Sequence, residues 1–328
     1  MLTNCGPARQ RGLRLALDER VVLAVSGGAD SMVMASLLFD TRPELIAAIA
    51  TVNHGTGPAA TDAVDLVSDW AAERRLPLRV GTVRAARASE SAWRAARWAF
   101  LKTVAAERGA RVAVAHTEDD QVETVLMRLL RGTGVRGLAG LRAASPVVRP
   151  LLSCSRSDVR AAACEGGIPF LDDPSNRDLR HLRNRVRLEL LPLLGREAPG
   201  TRAWLLALGE AAAAWRRDVA AAVETHWAPL VQDDQATVFV RRDRARVPTV
   251  AEAALFWPEV AGRVGVTLDR RGTERLASFT TKQESGLRMP LSGGATVTAT
   301  RAGWTLRRAD ASGEATTVPP DRLAPRNP

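Results

Sequence analysis

The sequence predicts an α/β protein: a doubly wound parallel sheet followed by a smaller, mainly helical C-terminal domain. Three observations predict it. Short apolar runs at 21–25, 45–52 and 112–115, with a weaker one at 78–83, have the length and branching of buried strands. Segments of helical periodicity lie between and after them, at 32–39, 60–75, 90–108 and 119–130. Strand alternating with helix gives a parallel sheet covered on both faces. After residue 141 the alternation stops, which marks a different kind of structure.

Taken in order, the first strand ends in "SGGADS" (26–31), the second in "NHGTG" (53–57) and the third long run in "HTEDD" (116–120). Ligands of such folds bind beyond the carboxyl ends of the strands. All three polar clusters therefore fall on one edge of the sheet. Beyond "VVRPLL" a helix is expected at 156–165, and then the polar "DDPSNRDLRHLRNRVR" runs into "LELLPLL". The Gly- and Pro-containing stretch 195–201 reads as a linker. An alanine-rich helix is expected at 204–227 and another at 250–260, with strands between and after. The expected division is 1–198, 199–312 and a polar, proline-rich, disordered tail at 313–328.

Composition narrows the function classes. The chain has 328 residues, 46% of them apolar, and a formal charge of +10 carried almost wholly by arginine, Lys102 and Lys282 being its lysines. A polyanionic partner, nucleic acid above all, is the simplest reason for that excess. No stretch approaches the ~20 apolar residues of a membrane span, and the N-terminus is polar and arginine-rich, so a soluble cytoplasmic protein is expected. Cys5, Cys154 and Cys164 form no C-x-x-C pair. They read as free thiols of a reducing compartment, not as zinc or iron–sulfur ligands.

The loop 26–31 has the chemistry of a phosphate cradle. Gly27 and Gly28 let backbone approach an anion, Ser26 and Ser31 offer hydroxyls, and a helix begins at once. Asp30 would repel phosphate unless a divalent cation lies between them, which implies Mg²⁺. Neither the Walker lysine nor the G-x-G-x-x-G spacing is present.

"SGGADS" resembles the pyrophosphate loop of the N-type ATP pyrophosphatases, which cleave ATP between the α and β phosphates and adenylate a carbonyl oxygen. Within that superfamily, "AHTEDDQVETVLMRLLRGTGVRGLAGL" (115–141), "RPLL" (149–152), "DDPSNRDLRHLRNRVRLELLPLL" (172–194) and "ESAWRAARWAFL" (90–101) resemble the tRNA(Ile)-lysidine synthetase family. Strong resemblance covers about residues 18–195, and a weaker one extends into the C-terminal region. It implies an adenine nucleotide α-hydrolase-like fold and a ligase that adenylates the wobble cytidine of isoleucine tRNA with a CAU anticodon. Free L-lysine then displaces AMP. ATP and Mg²⁺ are the implied cofactors. Pairing with a second copy of the chain is left open.

Carried over by position, the resemblance implies that Ser26, Gly27, Gly28, Ala29, Asp30, Ser31 and His54 hold ATP, Asp30 through Mg²⁺. Asp30, His116, Asp120, Arg97 and Arg94 are implied for catalysis. Asp120, Glu123 and Arg185 are implied for lysine, and Arg131, Arg183, Asn184 and Arg187 for tRNA. The amine of lysine, with a reference pKa of about 10.4, must lose a proton before attack, and carboxylates could hold the ammonium and accept it. The residues alone leave alternatives. Asp119 reads equally as a helix N-cap, and His116 either as a core histidine or as a ligand contact. Arg94 and Arg97 read as a solvated face or a phosphate contact. Arg180, Arg183 and Arg187 share a helical stripe with Arg177 and Arg185 off it. The run Arg241, Arg242, Arg244 and Arg246 is a hairpin edge or an RNA contact.

Departures from the family pattern are Thr117 in place of a second histidine, and Asn53 with Thr56-Gly57 in place of an acid and a bulky–basic pair. Trp98 and His181 stand where Tyr or Phe is usual. A tRNA thiolase with the same loop would need a sulfur-carrying cysteine, and Cys154 and Cys164 are far from the strand ends in sequence. A protein that only binds nucleotide would have no use for the Asp120–Glu123 pair.

Overall fold

The computed structural model describes residues 19–308, apart from 54, 56, 83–89, 228–230, 235, 243–247, 283 and 292–293. His54, Arg244, Arg246, Cys5 and the tail 313–328 lie outside the described residues. The chain divides into two compact units, Met1–Ala213 and Ala214–Pro328.

The first unit holds a four-stranded parallel sheet in the order β3-β2-β1-β4, with β1 at Val21–Ala24, β2 at Ile46–Asn53, β3 at Leu78–Thr82 and β4 at Arg111–Val114. Its crossovers are α1 (Ala29–Thr41), α2 (Pro58–Glu73) and α3 (Glu90–Glu107). Alternate residues of β1 serve opposite faces, as the period of two demands. Val21 and Leu23 join Met32, Val33, Val67 and Trp70 on one face; Val22 joins Leu101, Val104 and Val112 on the other. Helices therefore cover both sides, and the expected strands and helices occur within a few residues of their predicted bounds. Val148 adds a parallel bridge to Ala113, extending the sheet beyond β4.

After the sheet come α4 (Glu118–Leu130), the single turn α5 (Val135–Leu138) and α6 (Arg156–Glu165). A continuous helical run follows: α7 (Leu182–Arg185), a π turn at Val186–Leu190, and α8 (Leu191–Glu197). Leu182, Val186, Leu190 and Leu194, four apart, all pack with Val122, Val125 and Leu126 of α4. In a regular α-helix a four-residue repeat drifts by about 40° per step; the wider turn takes up that drift.

The stretch 195–201 is only a tight break before α9 (Thr201–Trp227). The division falls inside α9, past the expected boundary at 198. Leu205 packs with Val122 and Val186, and Ala212 and Ala213 with Leu138 and Ala139, so the start of this helix belongs to the first unit.

The second unit contains the rest of α9, α10 (Val250–Arg263), α11 (Arg270–Thr281) and an antiparallel sheet in the order β5-β6-β9-β8-β7. These strands are Val231–Asp234, Thr237–Arg241, Arg288–Pro290, Ala295–Ala299 and Gly303–Arg308 in chain order. Trp257, buried with Phe256, Trp304 and Leu306, donates its indole N–H to the Thr280 hydroxyl at 2.9 Å. The sequence did not announce α11; its start is capped by Asp269, whose side chain accepts the Gly272 N–H.

Leu23 lies fully buried on the central strand. Leu23→Ala should lower unfolding stability by about 2–5 kcal/mol. A smaller denaturant midpoint shift, at unchanged slope, would mean that the sheet relaxes around the lost side chain.

Candidate active site

Residues 26–31 carry the chain from β1 into α1. Gly27 is left-handed, with φ +81°, and a Cβ there would meet the Ala63 backbone at 3.0 Å, so only glycine fits. Its carbonyl accepts the Leu171 N–H at 2.9 Å. The Ser31 hydroxyl donates to the Gly28 carbonyl at 2.9 Å and accepts the Ser26 N–H at 3.1 Å. Gly28 is the N-cap of α1 and brings no capping side chain. The loop is thus braced by its own serines, while the first N–H groups of α1 have no side-chain acceptor. Such a terminus suits a phosphate-bearing anion.

The second cluster begins two residues after β4. Thr117 is the N-cap of α4, and its N–H and hydroxyl both donate to Asp120 Oδ2, at 2.7 and 3.1 Å. Asp119 is therefore not the cap. Thr117, where the resembled family has histidine, supplies it, and Asp120 completes the reciprocal pairing. His116 precedes the helix, so its spacing to Asp120 is not helical. Asp119 instead accepts the Arg156 backbone N–H at 2.7 Å and the Arg202 guanidinium at 2.8 Å.

Asp120 and Glu123 do share a helix face, and three arginines converge on it. Glu123 is 1% exposed. Arg156 donates to Glu123 Oε1 and Asp120 Oδ1, both at 3.0 Å. Arg183 donates to Glu123 Oε2 and Asp120 Oδ1, both at 2.7 Å. Arg187 donates to Glu123 Oε1 at 2.7 Å and Oε2 at 3.3 Å. Arg156 Nε also lies 3.9 Å from Asp30 Oδ2, which joins this cluster to the phosphate loop. The ends of β1 and β4, adjacent in the sheet, thus bring Asp30, Asp120 and Glu123 together.

Charge states follow from this packing. Burial pushes the Asp30 carboxyl up to about 6, against the pull of Arg156 and with a further push from Asp120. Burial also acts to raise Asp120, but Arg183, the Thr117 N–H and Arg156 outweigh it and hold that carboxyl below its usual range. Burial lowers His116 to about 4; Asp120 opposes this, while Arg149, Arg183 and Arg97 add to it. His116 is neutral at physiological pH, and its buried Nδ1 has no hydrogen-bond partner. The same holds for the Nε atoms of Arg97 and Arg149.

Other expected residues fall elsewhere. Of the α3 arginines, Arg97 is half-buried and Arg94 exposed. Arg185 and Arg131 are exposed, and Arg185 makes none of the ion pairs that fix Arg183 and Arg187. Arg180 leaves the expected stripe and pairs with Asp178. Asn184 is buried, its amide donating to the Ser175 and Asp178 carbonyls at 2.9 Å. Asn53 accepts the Gly55 N–H at 2.8 Å and closes its own turn.

The residue that sequence reasoning missed is Arg156. One signal was present: it is the first residue of α6, capped by Ser155. A cation at the positive end of a helix needs carboxylates nearby. Among the described residues no group of three or more His, Cys, Asp or Glu is placed to hold a metal ion.

Two outcomes are expected. Glu123→Gln leaves three guanidiniums short of counter-charge and should cost about 3–5 kcal/mol of stability; an unchanged denaturation midpoint would contradict this. The folded chain holds Asp30 near 6 against 3.8 for a free carboxyl, so it binds the proton more tightly than the unfolded chain. Stability therefore falls as pH rises from 3.8 to 6, by about 3 kcal/mol in all. Asp30→Asn should melt several degrees above the parent at pH 7.5, with the gap closing towards pH 4. A gap that does not vary with pH would refute the raised carboxyl.

Residues 9–194 match the PP-loop domain family. A tRNA(Ile)-lysidine synthase from Geobacter sulfurreducens is 42% identical over 207 residues, 58% of this chain and 44% of that protein. Proteins of the same name from Salinispora tropica and Exiguobacterium sibiricum are 40% and 37% identical. They cover 58% and 56% of this chain, and 62% and 45% of their own lengths. The chain spans about half the length of the curated relatives it matches. With its family matched across the loop, the sheet and the arginine-rich helices, the chain belongs to the PP-loop domain family.

Proposed function

We propose that the protein is an ATP-dependent ligase that joins L-lysine to the wobble cytidine of isoleucine tRNA with a CAU anticodon. The cytosine carbonyl oxygen attacks the α-phosphate of ATP, and pyrophosphate leaves. The lysine ε-amine then attacks carbon 2 and displaces AMP. The observation that carries this reading is the junction of the phosphate loop with the Asp120–Glu123 pair at one sheet edge. A reaction that adenylates a base and then admits an amine needs both halves within reach of one substrate atom. The names of the matched relatives support the same reaction.

Roles follow from the geometry. The N–H groups at the start of α1 and the Ser26 and Ser31 hydroxyls would hold the leaving phosphates. Asp30, raised by burial and by the neighbouring Asp120, would hold a magnesium ion that arrives with the nucleotide. That ion would neutralise charge on the phosphates. Arg97 and neutral His116 would face the adenylate, and Asp120 and Glu123 would receive the lysine ammonium. Exposed Arg131 and Arg185 are free to meet RNA phosphates, the C-terminal unit would add tRNA contacts, and the reaction belongs in the cytoplasm. A thiolase is disfavoured because Cys154 is buried in the sheet core and exposed Cys164 sits in the last turn of α6, at the opposite end from Arg156.

The test uses the full chain with ATP, magnesium, lysine and tRNA. Pyrophosphate should appear only with the CAU-anticodon tRNA, and the digested tRNA should contain a cytidine heavier by one lysine less water. A cysteine-dependent sulfur gain would favour the thiolase, and nucleotide binding without pyrophosphate would exclude ligation. Asp30→Asn should slow pyrophosphate release by about 100-fold or more, with tRNA affinity within about twofold of the parent. Loss of both together would remove Asp30 from the proposed role.

A further inference from the structure

Arg156 stands where one guanidinium reaches three carboxylates. Its Nη2 and Nη1 lie 3.0 Å from Asp120 and Glu123, and its Nε lies 3.9 Å from Asp30. Arg183 and Arg187 bind the same Asp120–Glu123 pair. The Arg156 backbone is fixed by its N–H donating to Asp119. Its side chain is 27% exposed and long enough to turn without moving that backbone. The helix dipole of α6 disfavours a cation there, so the carboxylates hold it.

We propose that Arg156 is a stand-in cation: it fills the Asp120–Glu123 pair until a phosphate-bearing ligand at residues 26–31 draws it away, and only then can an organic ammonium enter. The identity of that ammonium, lysine, rests on the function proposed above; the order of binding is the new element.

The electrostatics require such an order. With Arg156 in place, three carboxylates face three guanidiniums. A further ammonium would meet like charge in a site largely shielded from water. Phosphate beside Asp30 offers the guanidinium a stronger bidentate partner, at the end of Arg156 that already reaches towards the loop. The turn vacates one point shared by Asp120 Oδ1 and Glu123 Oε1, which the two ends of a single guanidinium now bridge. An ammonium with its three donors can take that place. The guanidiniums of Arg183 and Arg187 stay, so Asp30, Asp120 and Glu123 then face two positive charges in place of three. The coupling is reciprocal: lysine must tighten the anion by the factor by which the anion tightens lysine.

Calorimetric titration of the full chain with lysine, with and without inorganic pyrophosphate, tests this. In the parent, pyrophosphate should tighten lysine about tenfold or more. In Arg156→Gln, lysine should bind without pyrophosphate about as well as it binds the parent with it, and pyrophosphate should change its affinity less than about twofold. Equal coupling in both proteins, or no coupling in the parent, overturns the inference. Should Arg156→Gln fail to fold by circular dichroism, Arg156→Lys replaces it. A point charge cannot bridge three carboxylates, so its coupling should be smaller; coupling unchanged from the parent overturns the inference equally. Coupling with no lysine gained by tRNA would instead overturn the proposed reaction and leave the order of binding intact.

Discussion

Two carboxylates taken almost out of water at the start of α4 govern the architecture after the sheet. A buried carboxylate costs several kcal/mol unless it is paired and its oxygens are satisfied. Glu123 cannot meet that demand within its own helix. Arg156 comes from α6, and Arg183 and Arg187 come from the run that holds the π turn. Arg202 of α9 joins the neighbouring Glu118 and Asp119. Three separate segments are thereby tied to one helix start, and the family match ends at residue 194, within the second of them.

Much of this could be read from the chain. The parallel sheet was legible because its strands are continuous apolar runs and its helices fall between them. The loop at 26–31 was legible because its chemistry is local: two glycines, two hydroxyls and one acid at a strand-to-helix turn. Asp120 and Glu123 were legible for the same reason. Arg156 was not, since its partners lie more than thirty residues away. Helical phase grouped Arg183 with Arg187, which do meet on Glu123, but it misplaced Arg180, which pairs with Asp178. A regular helix groups all three, but Arg180 precedes the helix and the wide turn begins just after Arg185. Asn184 shows the opposite error, a polar residue in a basic run that proves to be a buried brace. In α11 the charged character of "DRRGTER" hides the stripe formed by Gly272, Leu276, Ala277 and Thr280.

The site also shows where the fold tolerates disfavoured states. Asp30 is held near 6 and His116 near 4, each shifted by burial away from its charged form. Buried Nε atoms of Arg97 and Arg149 lack partners close to the same strand end. A scaffold selected for stability alone would have removed these groups. Their concentration at one sheet edge accords with the proposed binding of charged ligands there.

The π turn at Val186–Leu190 carries a consequence for how this segment can change over generations. A regular helix that buries one stripe cannot gain or lose a residue without turning that stripe away from its partner. Here the wide turn spends one residue more than regular winding needs, so a single deletion within it would leave the later side chains nearly in phase, whereas a deletion in α7 would rotate them by about 100°. The α7 deletion would turn Leu190, Leu191 and Leu194 out of the cluster they share with α4, and Arg187 away from Glu123. A change of length in this run is therefore absorbed at the wide turn and nowhere else in it.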